Sequence, residues 1–205
     1  MDYSIAYGNK IFNDLLHTDL ITKKTKQVLV DRINEKEEPP LFFNAYQFNI
    51  LTIVCDLLMA QNSTERICNP AIAIDKRLAA GKADGWRYDA MPDDRIAFVN
   101  GIDGINEFAL AIFKKPFVEL YLSNQIDLLE KIQKGETIGN NWKKIIPVLF
   151  FEELLVEVTA IFYSHPIVQQ EIGFVGMADA NGWKNIGLDS KDNIEPDEII
   201  FNKIS

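Results

Sequence analysis

The sequence predicts an all-α protein, and three observations carry that expectation. Apolar residues recur at spacings of three and four in every long segment, the period that lines one face of a helix. No stretch alternates apolar and polar residues between Gly or Asn turns, as a half-buried strand would. Residues suited to helix starts and stops, among them Asn44, Pro70, Gly81, Asp93 and Gly135, punctuate the periodic segments. The expected architecture is a single-domain helical bundle of about five to seven helices, followed by an irregular glycine- and aromatic-rich C-terminal segment.

Residues 1–40 read as a peripheral N-terminal arm. From Thr22 to about Lys36 the chain is charged, with a thin apolar stripe at Val28, Leu29 and Ile33, and "EKEEPP" stops any helix at the paired prolines. The main helical domain occupies residues 41–190. Its first helix is capped by Asn44, with Gln47 three residues on as the reciprocal partner of a capping box. Phe48, Leu51, Cys55 and Leu58 then form its inward face through about Ala60. Pro70 opens a short helix that Gly81 closes, and "ADGWRYDAMP" becomes a loop presenting Trp86 and Tyr88.

Pro92, Asp93 and Asp94 suit the positive end of the next helix, which carries Phe98, Ile102, Ile105, Ala109 and Ile112 on one face. Gly101 and Gly104 inside it cost about 1 kcal/mol each relative to alanine, so a close helix crossing is expected to compensate. A further amphipathic helix runs from Pro116 to Lys134 and ends at Gly135, burying Phe117, Tyr121, Leu128 and Ile132 alongside Val118, Leu122 and Leu129. The last long helix extends from about Asn141 or Ile146 to Tyr163, with Phe151, Leu154, Leu155, Val158, Ile161 and Phe162 inward. After Pro166 the pattern is irregular, and residues 191–205 form an acidic tail.

Composition narrows the function classes. A chain of 205 residues with 47% apolar and 25% charged residues is that of an ordinary globular protein. A formal charge of −9 removes the attraction to phosphate that nucleic acids and anionic membranes exploit. The only cysteines, Cys55 and Cys68, lack a CxxC spacing or a neighbouring histidine and read as free thiols. The start "MDYSIAYGNK" has no cationic segment leading into an apolar one, so the chain as written is expected in the cytoplasm. Glu152, Glu153 and Glu157 interrupt the apolar run from Pro147 to Tyr163, which makes it a core helix with no direct membrane span.

The stretch "FYSHPIVQQEIGFVGMADANGW", residues 162–183, holds most of the candidate functional residues. Its glycines and Gly187 lack the preceding strand and following helix of a dinucleotide fingerprint, so they read as backbone positions needing positive φ or close approach. His165, between Ser164 and Pro166, is a helix-end residue or partner contact, with acid–base chemistry as the alternative. No ExxH pair supports a metal site. Glu153 and Glu157 lie four apart on one helical face, either solvated or meeting a cation from another helix or subunit. Trp86, Tyr88, Tyr163, Phe174 and Trp183 fall in turns, where aromatics either anchor an interface or complete a core.

Three stretches, "FNAYQFNILTIVCDLLM", "FVELYLSNQIDLLEKIQKGE" and "EVTAIFYSHPIVQQEIGFVGMADANGW", together resemble the gluconate 2-dehydrogenase subunit 3 family from about Phe43 to Leu188. The last looks like the family's helix ending in a Phe-Tyr-Ser-x-Pro turn followed by Gly-aromatic-x-Gly. The resemblance implies a non-catalytic small subunit that binds a large FAD-holding dehydrogenase of the glucose-methanol-choline type and assists its maturation or export, with a cytochrome subunit commonly accepting electrons. It implies no flavin or haem in this chain. A stand-alone helical binding protein, or an enzyme using His165 with a nearby carboxylate, are the competing readings. The partner-binding residues expected on this basis are Glu153, Glu157, Tyr163, His165, Pro166, Gly173, Phe174, Gly176 and Trp183. Many members begin with a twin-arginine leader, which "MDYSIAYGNKIFNDLL" is not, so a periplasmic location is expected only if a leader precedes this start.

Overall fold

A computed structural model of the chain describes residues 16–17, 21–35, 38–83 and 89–174. Among them seven α-helices have defined bounds: α1 Lys23–Ile33, α2 Ala45–Leu58, α3 Pro70–Ala79, α4 Asp94–Phe113, α5 Leu122–Gln133, α6 Pro147–Tyr163 and α7 Pro166–Glu171. Two 3₁₀ turns, Phe117–Glu119 and Asn141–Lys143, join them, and no strand occurs among the described residues. The chain divides into two compact units, one of residues 37–162 and one drawing on residues up to 36 and from 163 onward.

In the larger unit, local chemistry sets the helix ends where the sequence indicates. The Asn44 side chain accepts the Gln47 N–H at 2.9 Å and the Gln47 amide oxygen accepts the Asn44 N–H, completing the capping box of α2. Asn69 caps α3 ahead of Pro70, and Asp93 accepts the Arg95 N–H at the start of α4. Beyond α3 and α5 the chain reverses through Gly81 and Gly135 with φ of +64° and +77°. In each case the amide of the following residue donates back to a carbonyl five residues earlier. Ala60 closes α2 in the same way at φ +51°, without glycine's freedom there.

α4 organises this unit, packing against α2, α5 and both 3₁₀ turns. Its Phe98, Ile102, Ile105 and Phe108 are buried with Leu51 and Val54 of α2, Leu78 of α3 and Phe150 and Leu154 of α6. By length and composition α4 is the one described helix that could cross a bilayer, with a mean hydropathy of 1.4. Its apolar face lies instead in the core of this unit. A polar row on α4 anchors the connections: Asp103 accepts from the Gln47 side chain, and Asn106 accepts from the Tyr46 hydroxyl and the Phe117 N–H. Glu107 accepts the N–H groups of Asn140 and Asn141 at 2.7 and 2.9 Å, bonds that hold its carboxyl below the usual range. Buried Asp75 of α3 performs the same service before α2, accepting three consecutive N–H groups from Leu41, Phe42 and Phe43.

Four expectations change. Gly101 and Gly104 admit aromatic rings: a Cβ at Gly101 would meet the Phe150 ring, and one at Gly104 would lie 2.7 Å from the Trp142 indole. The Trp142 Nε1–H in turn donates to the Gly104 carbonyl at 3.1 Å. The helix expected from Pro116 to Lys134 is broken, because Leu120 and Tyr121 are extended at ψ 150° and 149°. That break resets the helical phase, leaving Tyr121 78% and Leu122 61% exposed while Phe117, Leu128 and Ile132 stay buried. Ile112, in the last turn of α4, is also on the surface. Finally, the chain after Pro166 starts as a helix, α7, before any irregular segment.

In the smaller unit, Thr22 caps α1 by accepting the Thr25 N–H, and α1 packs against α7. Leu29 is its buried helical residue, and Val28 of the expected stripe is exposed. Trp86, Tyr88, Gly176, Trp183 and the acidic tail lie outside the described residues.

Candidate functional site

The residues singled out around the Ser-x-Pro turn are sorted by the turn itself. Pro166 occupies the first turn of α7, where its missing N–H costs nothing, and it keeps the preceding residue out of helical geometry. His165 accordingly sits at φ −75° and ψ 131°, and α6 ends at Tyr163. At the far end Gly173, at φ +70°, closes α7, with the Phe174 N–H returning to the Gln169 carbonyl at 2.8 Å.

This geometry leaves Tyr163 and Phe174 exposed and Gly173 half-buried, but it turns Pro166 inward and leaves His165 only 7% exposed. His165 and Pro166 are therefore buried residues at the start of α7. The His165 ring hydrogen-bonds to the Arg32 backbone, while the Arg32 guanidinium donates to the Ser164 carbonyl at 2.8 Å. Its Nδ1 is buried with no hydrogen-bond partner among the described residues. Burial pushes the imidazole pKa below its ordinary value, against the bond to the Arg32 backbone and the charge of Glu35, with the Arg32 charge adding to the depression.

Glu157 is likewise moved inward. Arg77 of α3 holds it through two parallel bonds, Nε to Oε1 at 2.6 Å and a second terminal nitrogen to Oε2 at 2.8 Å. The remaining nitrogen of Arg77 donates to Asp94 at 2.6 Å and to the Lys82 carbonyl at 2.8 Å. The guanidinium also lies 5.6 Å from the Phe98 ring centroid. Burial disfavours the Arg77 charge, but the bonds and charges of Glu157 and Asp94 outweigh it and raise its pKa. Of the two cation sources considered for this glutamate, the structure supplies another helix, 80 residues away in sequence. Glu153 is half-buried on α6. Nearby, burial with the charges of Asp56 and Glu157 pushes the Cys55 thiol well above its usual range, which disfavours the nucleophilic thiolate.

Sequence reasoning missed the exposed apolar residues where α5 begins. Tyr121, Leu122 and Ile126 are 78%, 61% and 43% exposed, and Leu122 and Ile126, four apart, lie on one helical face. The available signal was Gln125, a polar residue on what a continuous helix would make its core face. Gln125 is buried and donates to the Phe117 carbonyl at 3.0 Å, a group that the break leaves with the Leu120 N–H of the 3₁₀ turn in place of an α-helical bond.

These features define an all-helical protein whose Arg77 ion-pair network is satisfied within one unit, with apolar side chains left on the surface of each unit and no metal-ligand cluster among the described residues. The model of the family Gluconate 2-dehydrogenase subunit 3 matches residues 45–188, and the chain belongs to that family. Comparisons with curated proteins and with solved structures found no match.

Proposed function

We propose that this chain is the non-catalytic small subunit, or maturation partner, of an FAD-dependent sugar or sugar-acid dehydrogenase of the glucose-methanol-choline type. The single observation that carries the reading is the family match from the start of α2 to a point beyond α7, since the family is named for a subunit of a dehydrogenase. In this reading the large subunit holds FAD and oxidises the substrate, a cytochrome subunit accepts the electrons, and this chain binds neither flavin nor haem. It contacts its partner through exposed apolar residues, Tyr121, Leu122 and Ile126 on one unit and Tyr163 and Phe174 on the other. It acts in the cytoplasm unless a leader carries it to the periplasm.

The burial of His165 supports this over the enzymatic alternative, because a general base must reach a substrate proton. Co-expression with a flavoprotein dehydrogenase encoded beside it, followed by affinity purification, tests the proposal. The expected result is a stoichiometric complex with all flavin on the large subunit. Failure to co-purify, or one flavin retained per isolated small chain, would overturn it.

A further inference from the structure

We propose that His165 is a proton-operated latch: the neutral ring and Arg32 together clasp helix α1 to the start of α7, and protonation in mild acid opens the clasp and releases α1. The clasp is reciprocal. Arg32, in the last turn of α1, donates its guanidinium to the Ser164 carbonyl, and the neighbouring His165 ring bonds to the Arg32 backbone. Within the helix Leu29 is the one fully buried residue, with Val30 and Ile33 half-buried beside it. The two polar contacts tie the last turn of α1 to the start of α7.

The second proton has no good place to go. It arrives on Nδ1, a buried atom without a partner among the described residues, and creates a buried donor in an imidazolium that the Arg32 charge disfavours. Among the described residues, the charged groups acting on the ring are Arg32 in the last turn of α1 and Glu35 just beyond it, both exposed and therefore screened, so that their opposing effects are outweighed by burial. Burial favours the neutral ring in the docked state, so the released state binds more protons. The latch is fully formed above the ordinary imidazole value of about 6.5 and is lost as pH falls through the lower docked value.

Amide hydrogen exchange on the full chain at about pH 7.5 and about pH 5, corrected for intrinsic exchange, tests this. Protection of residues 23–33 is expected to fall about tenfold in acid relative to that of α4. In His165→Gln, whose amide can still donate but cannot titrate, that difference should vanish. Unchanged wild-type protection, or an equal fall in the variant, would overturn the latch. Should the variant lose α1 at every pH, proton titration of the two histidines in the unmodified chain decides, with His17→Gln assigning the signals. A His165 ring titrating at or above about 6.5 sinks the proposal, and one titrating well below it supports the latch.

Discussion

Arg77 and His165 are both largely buried, and each ties its helix to a residue far away in sequence, yet they differ in how completely they are satisfied. Every guanidinium nitrogen of Arg77 has an acceptor, two on Glu157, one on Asp94 and one on the Lys82 carbonyl. His165 leaves one ring nitrogen without any among the described residues. A closed network in a low-dielectric interior is rigid and costly to break, whereas a half-satisfied one responds to a single proton. The same two helical units thus hold a structural joint and a labile one, built from comparable parts.

The largest expected effect breaks the closed network. Arg77→Met strands the carboxylates of Glu157 and Asp94 and should cost about 3 to 5 kcal/mol in urea unfolding followed by tryptophan fluorescence. A loss below about 1 kcal/mol would mean that solvent reaches these groups and that the joint is no stiffer than the latch. Next comes the ring seated on α4. Gly101→Ala drives a methyl into Phe150 and should cost about 1 to 3 kcal/mol, with part of the loss recovered by adding Phe150→Leu. Additive losses in that double variant would show that the ring contact is not the cause.

A smaller change of opposite sign is expected at Ala60, where φ is +51°. Ala60→Gly should stabilise the larger unit by up to about 1 kcal/mol, read as a raised thermal midpoint. The smallest effects on the fold are expected at the surface. Phe174→Ala and Leu122→Ser should each shift unfolding by no more than about 0.5 kcal/mol, since both side chains are largely solvated already. In pull-down with the flavoprotein the same variants should weaken capture by about 1 to 4 kcal/mol. Unfolding losses of about 3 kcal/mol would instead assign these residues to a core.

Much of the architecture was legible because it rests on local chemistry. The 3.6-residue period located the helices, and Asn44 with Gln47, Pro70, Asp93 and Gly135 marked their ends, since capping bonds and left-handed turns involve residues only a few positions apart. The break at Leu120–Tyr121 was harder to read, because two extended residues leave apolar spacing nearly intact and only buried Gln125 betrays them. The family was also readable, from the helical stretches and the Phe-Tyr-Ser-x-Pro turn.

The candidate site was less legible. Glu153 and Glu157 look alike in sequence, but Glu157 meets a guanidinium 80 residues away, and no local pattern encodes that meeting. His165 read as a helix-end residue or a partner contact. Pro166 fixed its backbone locally, but its contact with the Arg32 backbone reaches a segment far away in sequence, which no local pattern encodes. Periodicity and short-range hydrogen bonding are local, so most of the helices and several of their ends could be read directly, while the family was read from its motifs. The pairing of charges, the exposure of apolar side chains and the partners of the His165 ring emerged only in the folded chain, because burial and pairing depend on segments far apart in sequence.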